Sequence, residues 1–161
     1  FIVEDDNQNK SKNLTLFGSG LSGLGLESSS AKWLPAGATV VAMYGATAGQ
    51  VAFLAMPLTT NQAICGLIPK KQYRFFNYLA LENRVSLLAN QARGSAQQNI
   101  SKGIIEDTNV IIPTSYIASA FDGLLGPYFD KWITNLKFQT TLMRTRDTLL
   151  PKLLSGELHI K

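Results

Sequence analysis

The sequence predicts an α+β fold: a β-rich domain with one internal helix, followed by a long C-terminal helix. Three observations carry this expectation. Residues 38–44, 50–55 and 63–68 are short β-branched or apolar runs bounded by Gly, Pro and Asn. Residues 74–92 carry an apolar stripe at helical spacing, namely Phe75, Tyr78, Leu79, Leu81, Leu87 and Leu88, with Asn and Arg opposite. Residues 115–150 hold a helical period with no turn cluster to end it.

In chain order, residues 4–13 are polar and read as a loop, and residues 14–17 (Leu-Thr-Leu-Phe) are a short strand candidate. Residues 18–30 are rich in Gly and Ser, and residues 33–37 (Trp-Leu-Pro-Ala-Gly) form a turn. The runs 38–44 and 50–55 bracket Gly45-Ala-Thr-Ala-Gly49 and make a hairpin or wide β-turn. Residues 60–62 punctuate, and the strand at 63–68 is stopped by Pro69, whose ring removes a ladder donor. The helix at 74–92 leads to a polar loop at 94–99, a short mixed stretch at 100–106 and a final strand at 108–113. Gly126-Pro127 lies inside the last helix, so a kink or break is expected near residue 124.

That last helix is the most informative element. Alternating steps of four and three from Leu125 land on Phe129, Trp132, Leu136, Gln139, Met143, Arg146 and Leu150. Six of these eight positions are apolar, and the spacing averages the 3.5 residues of a coiled-coil seam. Gln139 and Arg146 are polar layers of the kind that fix register and direction at some cost in stability. Thirty-odd residues at ~1.5 Å each make a rod of roughly 45–50 Å, longer than a domain of this size needs for its own core. The rod is therefore expected to be a spacer that docks on another helix. The division is residues 1–114 for the compact domain and residues 115–161 for the spacer and tail.

With 161 residues and 45% apolar content, the chain supports one domain plus an appendage. The single cysteine, Cys65, makes no internal disulfide and reads as buried filler. The acidic start shows no signal peptide, and the expected location is cytoplasmic. The chain opens on Phe1 without an initiator Met, which keeps a fragment among the readings. Net charge is +4, unevenly spread. Between residues 70 and 102, six basic groups (Lys70, Lys71, Arg74, Arg84, Arg93 and Lys102) face only Glu82, a local balance of +5. Such density suits a polyanionic partner.

Several other classes of function are disfavoured. Gly18-Ser-Gly-Leu-Ser-Gly23 matches a dinucleotide-binding pattern, but no good helix follows and no acidic residue stands about twenty residues on. Residues 38–56 are uncharged, yet the Gly-Ala-Thr-Ala-Gly centre and β-branched flanks read as strand–turn–strand rather than a membrane helix. His159 is the only histidine and sits two residues from the end, so a Ser-His-Asp arrangement is not expected. One Cys and one His cannot close a zinc site, and no metal is expected. Nothing in the chain pairs a nucleophile with a base, so it is expected not to be an enzyme.

Five stretches in order, and the chain's closing segment, carry a resemblance. They are Leu34-Pro-Ala-Gly-Ala-Thr-Val-Val, Gly45-Ala-Thr-Ala-Gly-Gln-Val-Ala-Phe, Thr60-Asn-Gln-Ala-Ile, Gly94-Ser-Ala-Gln-Gln-Asn-Ile-Ser-Lys and Ile111-Ile-Pro. Arg146-Asp-Thr-Leu-Leu-Pro-Lys-Leu-Leu-Ser-Gly-Glu closes the chain. Together they resemble the specificity subunit of type I restriction–modification systems, over one target-recognition domain and its following spacer helix.

The resemblance implies a sequence-specific double-stranded-DNA-binding protein without a catalytic site. In such a subunit two recognition domains each read half of a split site, and two long helices pack antiparallel to set the distance. It directs methyltransferase subunits, which bind S-adenosylmethionine, and restriction/translocase subunits; the specificity chain itself is expected to hold no cofactor. Only one domain and one helix are present here, as in half of a full subunit, a half-length subunit or a fragment. A half-length subunit would take its second helix from another copy and read a palindromic split site.

For DNA, Lys70, Lys71, Arg74, Arg84, Arg93 and Lys102 are the expected phosphate contacts. Base edges call for amides and cationic groups, and the loop candidates are Lys10, Lys12, Gln97, Gln98 and Asn99, with Asn7, Gln8 and Asn9. Tyr44 and Thr47 at the hairpin tip are placed to touch a phosphate or a thymine methyl. The 45–49 and 94–102 segments resemble stretches shared by family members of differing specificity, which favours scaffold or phosphate roles there. A protein–protein adaptor with an oligomerising helix is the competing reading, and the basic block argues against it.

Overall fold

A computed structural model describes residue 28, residues 30–93 and residues 99–158, the side chains of residues 91–93 excepted. The strand candidate at 14–17, Lys10, Lys12, Gln97, Gln98 and His159 lie outside the described residues. Five short strands and four helices are described: β1 (Trp33–Leu34), β2 (Thr39–Ala42), β3 (Val51–Phe53), β4 (Leu58–Thr59), β5 (Ile64–Leu67), α1 (Arg74–Glu82), α2 (Val85–Arg93), α3 (Lys102–Glu106) and α4 (Ser115–Leu154). The fold is mixed α+β with small sheets and a long C-terminal helix.

The main sheet is antiparallel, in the order β3-β2-β5. Val41 faces Val51 on one side and Cys65 on the other. Because side chains alternate along a strand, β2 serves two cores at once. Val41, Val51, Phe53 and Cys65 enter the larger core with the helices. Ala38, Val40, Leu54 and Leu58 form a smaller core on the opposite face with Leu34, Ala52 and Ile64. The β1–β4 ribbon covers that second face. Gly66 makes room for it, since a Cβ there would lie 2.7 Å from Leu34 Cδ2. The expected turn at 33–37 thus begins as a strand, Trp33 pairing with Thr59. Cys65 is buried, and burial pushes its thiol up from the ordinary value.

The 3-10 turn Gly45–Thr47 closes the β2–β3 hairpin. It needs left-handed backbone at Gly45 (φ 73°) and Gly49 (φ 87°), which glycine adopts without a Cβ penalty. At Gly49 space is also short: a Cβ would sit 2.7 Å from the Ala89 backbone nitrogen. Helix α2 therefore rests directly on the turn.

Three expectations need correction. Residues 74–92 form two helices rather than one, so the domain holds more than one internal helix. The Arg84 guanidinium turns back to donate to the Ala80 carbonyl at 2.8 Å, satisfying an acceptor at the end of α1. Residues 108–113 are not a strand, although the run is β-branched. Propensity for a pleated surface counts only where a neighbouring strand and a covering face exist, and here Ile111 is 92% exposed. Finally, α4 is continuous through Pro127, so the break expected near residue 124 does not occur. The carbonyl that loses its donor there belongs to Gly123, which is exposed to solvent.

Thr114 caps the start of α4, its hydroxyl accepting from the Ile117 amide. Its far end closes on Gly156 (φ 74°), with the Gly156 amide donating to Leu153 and the Leu158 amide to Lys152. At ~1.5 Å per residue its 40 residues span about 60 Å.

The first half of α4 belongs to the larger core. Phe129 is buried in an aromatic cluster, its ring centroid 4.1 Å from Phe75, 5.4 Å from Phe53 and 6.0 Å from Tyr78. Leu125, Trp132, Ile133 and Leu136 pack against the same core. The first four positions of the expected helix–helix seam are thus covered by the chain's own body. A helix crossing a three-stranded sheet needs a large apolar knob to reach it, and Phe129 supplies one.

Candidate nucleic-acid interface

The sheet register divides the basic and amide residues into two groups. Strand β5 runs antiparallel to β2, with Ala42 beside Ile64 and Thr39 beside Leu67. The Gly45–Thr47 turn therefore lies off one end of the sheet, while Lys70 and Lys71 follow β5 off the other.

At the turn end the structure brings together Tyr44, Thr47 and Asn99. Tyr44 and Asn99 form an antiparallel bridge, and the Ile100 amide donates to the Met43 carbonyl at 2.7 Å. Tyr44 is 46% exposed, so its phenol is presented outward while its backbone is paired. Lys102 opens α3 just beyond, behind the Ser101 cap whose hydroxyl accepts from the Ile104 amide. Its ammonium pairs with Glu106 at 3.1 Å. That hydrogen bond and the carboxylate charge hold Lys102 above the ordinary lysine value, and it stays fully solvated.

At the other end Lys70 and Lys71 are exposed and have no ion pair among the described residues. Arg74, one turn on, is engaged inside the protein. Its Nε donates to Asp122 Oδ1 of α4 at 3.1 Å, and its guanidinium lies 4.4 Å over the Phe75 ring. Arg84 is likewise turned onto its own helix. The backbone of Arg93 ends α2. Exposed lysines with no competing carboxylate are free to exchange counterions for phosphate; a guanidinium already bonded to a carboxylate must first give that up.

The second half of α4 is bare. Gln139, Arg146 and Leu150 of the expected seam are exposed and Met143 half-buried. A second apolar stripe, absent from the expected seam, runs through Ile117, Leu124, Tyr128, Phe138, Leu142 and Leu149. Phe138 and Leu142 are 61% and 66% exposed. At about 100° per residue Phe138 stands half a turn away from Phe129. The signal was present in the sequence: steps of four and three from Ile117 reach Phe121, Leu124, Tyr128, Lys131, Asn135, Phe138, Leu142, Thr145 and Leu149. Both registers average 3.5 residues, and only packing shows which one faces the body.

Among the described residues no group of three or more His, Cys, Asp and Glu converges as metal ligands. No helix among them is long and apolar enough to cross a membrane.

The family of type I restriction modification DNA specificity domains matches residues 3–120, and the chain belongs to this family. The family is described as a DNA specificity domain. Among curated relatives, the chain is similar to the type I restriction enzyme HindI specificity subunit of Haemophilus influenzae, 32% identical over 142 residues. That match covers 86% of this chain and 31% of the relative. It is also similar to the type I restriction enzyme MjaIX specificity subunit of Methanocaldococcus jannaschii, 33% identical over 87 residues, 54% of this chain and 20% of the relative. The chain therefore spans about a third or less of the curated relatives it matches.

Proposed function

We propose that the chain is one sequence-reading module of a cytoplasmic type I restriction–modification system, binding one half of a split double-stranded DNA site. Lys70 and Lys71 contact phosphates, and Lys102 does so on giving up its pair with Glu106. Tyr44, Thr47 and Asn99 face the duplex at the other end of the sheet from Lys70 and Lys71, and Lys10, Lys12, Arg93, Gln97 and Gln98 complete the contact set. Arg74 and Arg84 act as framework instead.

One observation carries this reading beyond family membership: α4 leaves its domain after Leu136 and presents uncovered apolar side chains on both sides. Phe138, Leu142, Leu149 and Leu153 mark one stripe; exposed Leu150 and Leu154, with half-buried Met143, continue the other. A second spacer helix, from another copy or the other half of the subunit, packs antiparallel along one stripe. The other is left for methyltransferase subunits, which hold S-adenosylmethionine, and through them the restriction/translocase subunit.

Duplex binding at two salt concentrations tests the function. Affinity falling with a log–log slope of about −0.9 per phosphate contact is expected. No binding at low salt removes the DNA reading and leaves the adaptor.

A further inference from the structure

We propose that Asp122 and Phe129 are positioning residues that lock the recognition domain onto α4 in a single orientation, making domain and helix one rigid body. The inference rests on the reading of α4 as a spacer.

The joint is built from contacts of different kinds along one face of α4. At its start the Gln72 amide nitrogen donates to the Ser115 hydroxyl at 3.2 Å, and the Tyr73 hydroxyl donates to the Pro113 carbonyl at 3.1 Å. Ala118, one turn in, is fully buried. Next Asp122, whose side chain is 14% exposed, receives the Arg74 guanidinium. Two turns further on Phe129 enters the aromatic cluster, and Trp132 packs edge-on against it at 5.9 Å. From Ser115 to Phe129 these anchors span about 21 Å of helix axis. A single contact permits pivoting; two anchors about 10 Å apart, one ionic and one apolar, fix tilt and rotation together.

The lever arm shows why such fixing matters. The bare part of α4, from Leu136 to Leu154, extends about 27 Å, so a swing of about 10° moves its far end by about 5 Å. That exceeds the rise of one base pair, about 3.4 Å. A spacer on a loose joint would not set a distance to one base pair. Asp122 is engaged by Arg74 and Phe129 by the aromatic cluster, so on this proposal their effect on DNA runs through geometry.

The test is a distance measurement between two spin labels, at Met56→Cys and Thr148→Cys in a Cys65→Ala background, with labelled full chain diluted into excess unlabelled protein. A single narrow distance distribution is expected. Asp122→Ala is expected to broaden it by about 5 Å, the displacement of a swing of about 10°. Phe129→Leu keeps apolar volume while removing the ring stack; it is expected to broaden the distribution with cooperative unfolding retained. A broad distribution in the parent protein, or an unchanged narrow one in both variants, overturns the joint. DNA binding is measured on the same samples. Absence of binding with a narrow parent distribution overturns the DNA reading and leaves the joint standing.

Discussion

The two halves of α4 are both amphipathic, and they behave differently. From Ser115 to Leu136 one apolar stripe is absorbed by the sheet and by α1, and Phe129 is as much a core residue as Phe53 or Phe75. From Phe138 onward, among the described residues, Phe138, Leu142, Leu149, Leu150 and Leu154 are exposed, although they are of equal hydrophobicity. Hydrophobic periodicity reports that a face is to be buried, not what buries it. The first half is a tertiary element; the second, on the reading proposed above, is the surface that a partner helix covers.

Substitution breaks this comparison most sharply. Phe129→Ala is expected to cost about 3–5 kcal/mol, a large share of the stability of a domain this size. Denaturant unfolding followed by circular dichroism measures it. Leu142→Ala, on the bare half, is expected to stay within about 0.5 kcal/mol for the isolated chain. Equal costs would show that the halves are not different environments. By the same logic a piece ending at residue 114 lacks Phe129 and its neighbours and is expected not to fold cooperatively.

The converse experiment acts on assembly. Leu142→Asp places a charge in the middle of the bare stripe and is expected to weaken self-association at least about tenfold, about 1.4 kcal/mol, with little change in the unfolding midpoint. Light scattering across a concentration series reads the mass. An assembly of unchanged mass and affinity would place the partner elsewhere.

How much of this was legible beforehand depends on which forces acted locally. Strands β2, β3 and β5 follow from alternation and glycine punctuation, because both signals are written in neighbouring residues. The break between α1 and α2 was not visible, since no Gly or Pro marks it and residues 74–92 carry one apolar stripe. Residues 108–113 had the propensity for a strand but no partner edge, which is a tertiary fact. For the candidate site, the basic block was plain as a count of charges. The engagement of Arg74 by Asp122 was hidden, because the two residues are 48 apart in the chain. The seam was legible as a period and ambiguous as a direction.

Titration sharpens the contrast from within the core. Tyr78 is buried against Phe129, and burial, helped by the Glu82 charge, pushes its hydroxyl up to about 12. The unfolded chain ionises its tyrosine near 10, so between about pH 10 and 12 the unfolded state binds fewer protons than the native one. Stability is therefore expected to be intact below pH 10 and to fall as pH rises towards 12. Tyr78→Phe removes this component, and the difference between the two urea-midpoint profiles isolates it from the lysines. Parallel profiles would mean that Tyr78 is open to water and the aromatic cluster looser than described.

The smallest expected effect lies at the DNA face. Lys70 is exposed and without an ion pair among the described residues, whereas Arg74, four residues later, is held by the Asp122 carboxylate of α4. Lys70→Gln is expected to lower duplex affinity about two- to threefold on every sequence and to reduce the salt slope by about 1. Arg74→Gln, in contrast, is expected to leave the salt slope unchanged, because its charge is already neutralised by Asp122, and to act through the stability of the joint instead. Binding titrations at several salt concentrations, paired with thermal unfolding, separate the two. A slope that falls for Arg74→Gln and not for Lys70→Gln would reverse the assignment and move the phosphate-contacting surface onto the start of α1.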